Sequence, residues 1–185
     1  MRASAAAGLT SCSGRGSLTG QVPGRSAAWS ARRIRDYWRM VDEGLALERA
    51  IELAVRAHVG QRYPSPEPEP YVLHLLRVLL AVQGVRAQMT AVLHDVLEDT
   101  HVTVEKLRAA ELPEDVIIAV QALTHRAEHT YEQYIELLAD NRLARQVKLA
   151  DLADNLANNR RLPQTPDVAE RIARYDRAVA RLRAG

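Results

Sequence analysis

The chain has 185 residues, one cysteine and a formal net charge of +2 at pH 7. That length suits one domain with a full core, and 47% apolar residues is ordinary for a globular protein. The single cysteine, Cys12, excludes a disulfide framework and a thiolate metal site, and no apolar run approaches the roughly 18 residues of a membrane span.

The charge is uneven. Residues 1–39 hold seven arginines against Asp36 alone, a net +6, which leaves −4 on residues 40–185. A mildly acidic body argues against a nucleic-acid partner, and a cytoplasmic protein is the simplest expectation. Residues 1–30 carry five of the nine glycines among Ser, Ala and Arg, with no helical or strand period. This composition predicts a disordered tail over 1–39 and a domain over 40–185. The tail has no apolar stretch for a secretory signal. It fits an organellar transit peptide in being rich in Arg and Ser and poor in acids, and initiation at Met40 would remove it altogether.

From Leu45 onward the periodicity is helical. Leu45, Ala50, Ile51, Ala54 and Val55 form an apolar face that stops at Gly60. Residues 63–70 alternate four prolines with polar side chains and predict an extended loop. Tyr71 to Val82 predicts a buried helix, and Thr103 caps a short one containing Val104 and Leu107. Pro113, Glu114 and Asp115 open the next helix. Thr130 and Gln133 match a capping box ahead of Tyr134, Leu137 and Leu138. Leu149, Leu152, Ala153 and Leu156 mark a helix over 142–158. Thr165-Pro166-Asp167 opens the last, with Ile172, Val179 and Leu182 inward and arginines outward. No alternating run predicts a strand. The expected fold is all-α, one bundle of about seven or eight helices.

The stretch with the most chemistry is Ala91 to Thr100. On one continuous helix, Val92, Leu93, Val96 and Leu97 share one side, and His94, Asp95, Glu98 and Asp99 the other. A solvated face is the plain reading, yet no Lys or Arg stands at i+3 or i+4 to pair with the carboxylates. Two bare carboxylates about 4 Å apart repel by roughly 4 kcal/mol at an effective dielectric near 20. A divalent cation would remove that repulsion, and imidazole with carboxylate suits one. His74, alone, reads as a core histidine among Leu73, Leu75 and Leu76, and Asp151 as part of a solvated face beside Lys148. His58, His125 and His129 have no identifiable partner and read as structural or surface.

The order of these pieces is more specific than any one of them. A lone His, His-Asp on the next helix and a distant Asp on a later one resembles the HD phosphohydrolases. Ala57-His58-x-Gly60-Gln61, Pro70-Tyr71-x-x-His74, Leu93-His94-Asp95-Val96-Leu97-Glu98-Asp99-Thr100 and Val147-Lys148-Leu149-Ala150-Asp151 with Asn155 resemble the (p)ppGpp hydrolase domain of the RelA/SpoT family. These matches span residues 45–162. The resemblance implies His74, His94, Asp95 and Asp151 as ligands of a divalent metal, typically Mn²⁺. It implies Glu98 and Asp99 as the catalytic acids that work on the attacking water. It also implies Arg62, Lys148 and Asn155 as substrate contacts.

Two imidazoles and two carboxylates leave coordination positions open, as catalysis requires. The implied reaction removes pyrophosphate from the 3′ position of a guanosine nucleotide, with a small-molecule substrate as the partner and the oligomeric state left open. The length implies a stand-alone hydrolase without synthetase or regulatory domains. The departures fall in the substrate region. Arg62 lies farther from His74 than in the family, Leu75 replaces a proline, and Leu152, Asp154 and Asn158 stand at the usual Arg, His and Thr positions. Leu123-Thr124-His125-Arg126 replaces a Val-Thr-Lys-Leu loop. Two alternatives therefore stay open: an HD phosphohydrolase for another nucleotide, and a nucleotide-binding module without catalysis.

Overall fold

The computed structural model describes residues 31–184, and its first helix, α1 (Ala31–Ala57), crosses the boundary expected at 39/40. The disorder expected for 31–39 is corrected there. That stretch contains no Gly or Pro, its alanine and arginines are good helix formers, and Arg39 pairs with Asp36 at 2.9 Å. The rest of the tail reading concerns residues 1–30, which lie outside the described residues.

Among the described residues the fold is all-α. After α1 come α2 (Val72–Ala81), α3 (Val85–Val92), the single turn α4 (Val96–Asp99), α5 (Val104–Ala109), α6 (Glu114–Leu123), α7 (Tyr131–Ala139), α8 (Arg142–Asn159) and α9 (Pro166–Ala184). Eight of these nine segments are six residues or longer. One strand pair was not expected: β1 (Arg62–Tyr63) lies antiparallel to β2 (Glu69–Pro70) and closes the proline loop. Two residues per strand are too few for a period-2 signal. No helix among the described residues is long and apolar enough to cross a membrane.

Helix α3 lies at the centre, against α1, α2, α6 and α8. Met89, Ala91, Val92 and Leu93 are fully buried there. Ala46, Ala50 and Ala54 are buried at four-residue spacing on α1, so small side chains bring it close to α3. Leu45 and Val55, expected on that apolar face, are exposed, as is Leu137 on α7. The capping box forms as expected. Thr130 Oγ1 accepts from Gln133 N, and Gln133 Oε1 from Thr130 N.

The continuous helix expected over 91–100 is broken. Leu93 and Asp95 sit at φ −101° with ψ near zero, and Val96 N donates to Leu93 O at 3.0 Å, a three-residue return. The imidazole of His94 causes part of this, since its Nδ1 donates to Ala91 O at 2.7 Å and competes for a carbonyl that a continued helix would use. The turn keeps Leu93 and Val96 in the core while His94 and Asp95 point together toward α2 and α8.

Candidate metal centre

The four implied ligands come from three local settings. His74 lies in the first turn of α2, His94 and Asp95 in the turn between α3 and α4, and Asp151 mid-way along α8. His74 and His94 are almost fully buried, at 1% and 2% exposure. One ligand atom from each of His74, His94 and Asp95 lies within 4.8 Å of the other two. His94 Nε2 stands 2.9 Å from Asp95 Oδ2, and His74 Nε2 stands 3.8 Å from the same oxygen. Asp151 Oδ1 is 3.3 Å from His74 Nε2 and 3.5 Å from His94 Nε2.

Both imidazoles turn the same edge inward. His94 commits Nδ1 to Ala91 O, and His74 commits Nδ1 to Asp154 Oδ2 at 2.7 Å. That leaves Nε2 of each ring free to face an ion, the tautomer a metal ligand needs. His94 Nε2 is buried and makes no well-aligned hydrogen bond, although Asp95 is near. A buried polar atom left so is costly, and a cation beside it is the simplest remedy. The donor set therefore fits a divalent metal.

Charge follows from burial. Burial alone would push His94 down in pKa, but Asp95 and Asp151 outweigh it and hold the ring well above its ordinary value. Burial would push Asp151 up, and the Lys148 ammonium with the two imidazoles holds it well below. Lys148 Nζ donates to Asp151 Oδ2 at 2.9 Å and lies 5.4 Å from the Tyr134 ring centre. Asp151 thus presents Oδ1 to the imidazoles and gives Oδ2 to Lys148. The Lys148 partnership seen in the sequence holds, but in the interior and not on a solvated face.

Glu98 and Asp99 follow on α4. Glu98 Oε2 accepts from His125 N at 2.9 Å. Burial raises its pKa, partly offset by that N–H, and burial with the nearby Asp95 charge raises Asp99. Asn155 Nδ2 donates to Asp151 Oδ1 at 2.6 Å. Together with Lys148 and Glu98, Asn155 lines a cavity of about 240 Å³ that His74, Asp95 and Asp151 also line. Arg62 does not line it; it is exposed on β1, while its neighbour Tyr63 turns inward.

Several contributors were not singled out from sequence. Tyr71 Oη donates to Asp95 Oδ2 at 2.6 Å and lies 3.2 Å from Asp99 Oδ2, linking a candidate ligand to a candidate catalytic acid. The Tyr63 ring stacks on His74, with centroids 4.5 Å apart. His58, read as structural or surface, is buried against Tyr71 and donates from Nδ1 to Gln61 Oε1, whose amide nitrogen donates to Asp99 O. Gly60, at φ +81°, makes the turn that aims Gln61. His125, also read as structural or surface, lines the cavity. Asp154 fills a family histidine position and is the support of His74. Burial raises its pKa, but His74 and the Arg77 guanidinium, 2.6 Å away, bring it down to about 2.

Asp154→Asn is expected to weaken divalent-metal affinity about 10- to 100-fold, measured by competition with a chelating dye, although every candidate ligand stays. The sign of its acid effect follows from the lowered pKa. Stability from this carboxylate is present above its ordinary pKa of 3.8 and lost as pH falls through about 2. The metal-free variant should lack that part of the acid transition.

An all-α bundle with His on one helix, His-Asp at a helix break and Asp on a later helix is an HD domain. No protein-family model matches the chain. It is 31% identical over 136 residues to the guanosine-3′,5′-bis(diphosphate) 3′-pyrophosphohydrolase MESH1 of Danio rerio, covering 68% of this chain and 75% of that protein. Identity to the Drosophila melanogaster protein of the same name is 32% over 117 residues, covering 57% of this chain and 65% of that one. A solved structure, described as a metazoan ortholog of SpoT that hydrolyzes ppGpp and plays a role in starvation responses, aligns with a TM-score of 0.62. It is 24% identical and covers 74% of this chain and 84% of that one, a likeness of fold. The chain belongs to the MESH1-type guanosine-3′,5′-bis(diphosphate) 3′-pyrophosphohydrolase family.

Proposed function

We propose that this protein hydrolyses (p)ppGpp at the 3′ position in a manganese-dependent reaction. The observation that carries this reading is the convergence of His74 Nε2, His94 Nε2 and the Asp95 carboxylate, with both Nδ1 atoms committed elsewhere. His74, His94, Asp95 and Asp151 would hold the ion. A bound divalent ion supplies positive charge that acidifies water and offsets the charge of a phosphoryl group.

The chain's own residues do the rest. Glu98, fixed by His125 N–H and raised in pKa, exchanges a proton with the attacking water. Asp99, tied to Asp95 through Tyr71, orients that water. Water oxygen bonds to the phosphorus nearest the ribose, the bond to the 3′ oxygen breaks, and a proton returns to that oxygen. GDP or GTP and pyrophosphate leave. Lys148 and Asn155 hold Asp151 and line the substrate cavity.

A second reading, the same centre acting on another phosphorylated nucleotide, is favoured by Arg62, which stands outside the cavity. Steady-state kcat/KM on ppGpp, a deoxynucleoside monophosphate and a phosphorylated dinucleotide separates the two. The highest value on ppGpp is expected; a higher value on either rival overturns the substrate assignment.

A further inference from the structure

The cavity over the metal centre is lined by both signs of charge: Asp95, Glu98 and Asp151 supply acid, and α9 contributes Arg174, although the periodicity of α9 predicts its arginines outward. Arg174 also borders a second pocket, with Glu132 and Glu136. The Arg174 guanidinium carbon lies 5.0 Å from the Tyr131 ring centre and 5.7 Å from that of Tyr175. Its Nε is buried with no hydrogen-bond partner, and no carboxylate of the described residues lies within 4.0 Å of it. Lys148, in the same wall, already belongs to Asp151.

We infer that Arg174 is a specificity-determining residue that receives the second phosphoryl group of the substrate, the 5′-diphosphate. This rests on the hydrolase reading above. A guanidinium held by tyrosine faces keeps its planar donors for an anion of matching geometry, and phosphate is that anion. A nucleotide whose 3′ pyrophosphate lies at the histidines presents its 5′ group away from them, across the ribose. Arg174, a cation of the same wall with no carboxylate partner among the described residues, suits that group. With Arg62 outside the cavity, Arg174 is the cation of its wall without an acidic partner among the described residues. A substrate with phosphoryl groups at two separate positions is therefore selected over one with the 3′ group alone.

The test compares wild type, Arg174→Gln and Arg174→Lys, loaded with manganese, on ppGpp and on guanosine 3′-diphosphate, which lacks the 5′ group. Wild type should prefer ppGpp in kcat/KM by about 10- to 100-fold, the range of a charge-assisted contact. Arg174→Gln should lose most of that preference through KM, with kcat little changed, and Arg174→Lys should restore part of it. Equal losses on both substrates, or a drop in kcat and thermal midpoint together, would make Arg174 a clamp between α7 and α9 and overturn the inference. An unchanged preference in Arg174→Gln also overturns it. Wild type inactive on both compounds overturns the hydrolase reading itself, and the inference with it.

Discussion

Asp95→Ala should slow ppGpp turnover by about a thousand-fold or more and leave the purified protein with little bound manganese. The carboxylate stands 2.9 Å from His94 Nε2 and shares the cluster with His74. Removing it takes away a proposed ligand and the charge that faces two buried imidazoles. Lewis-acid stabilisation is worth several kcal/mol, and each 1.4 kcal/mol is a factor of ten in rate. Tyr71 would lose its shorter acceptor and keep the longer contact to Asp99, so the acid pair shifts as well. The checks are initial rates of pyrophosphate release and metal content by elemental analysis. A variant that kept both would exclude Asp95 as a ligand.

The largest stability effect is expected at Asp151. Its side chain is 5% exposed and that of Lys148 15%, so a buried carboxylate and a largely buried ammonium are joined at 2.9 Å. Asp151→Ala leaves an ammonium in the interior with no carboxylate to offset its desolvation. Breaking such a pair from one side costs about 3–5 kcal/mol, whereas replacing both members with apolar groups of similar volume is often close to neutral. In metal-free protein, denaturant unfolding of Asp151→Ala should therefore show a loss of that size. Lys148→Met/Asp151→Leu should recover most of it while staying inactive. Equal losses in the single and double variants would mean that the pair does not carry the effect.

The His94-Asp95 pair stood out in the sequence because its pattern is local, whereas His74 and Asp151 alone read as a core histidine and part of a solvated face. His94-Asp95 sits in an apolar frame that the core requires, and Leu93 and Val96 are indeed fully buried. Helix periodicity and the Thr130 capping box were legible for the same reason. The break at Leu93–Asp95 was not, because a side chain bonding its own backbone overrides a pattern that suits a continuous helix. The strand pair that closes the proline loop was too short to carry a pattern.

The surroundings of the ligands depend on contacts far apart in sequence. Asp154 supports His74 across 80 positions, and Tyr63 reaches Asn155 across 92. A carboxylate on a polar helix face looks the same whether it meets water or an imidazole. Arg174 is the opposite case, an arginine on a basic, outward-looking helix that turns out to line the cavity. No residue-by-residue signal distinguishes it from Arg177 or Arg181, which share a second pocket with Arg174 but do not line this cavity.

The reaction is tested most directly by resolving the products of ppGpp incubated with the purified protein and manganese. Hydrolysis at the 3′ position yields GDP and pyrophosphate in equal amounts, ceases after chelation and returns when manganese is added back. Intact ppGpp after long incubation, or release of single inorganic phosphates in place of pyrophosphate, would contradict it.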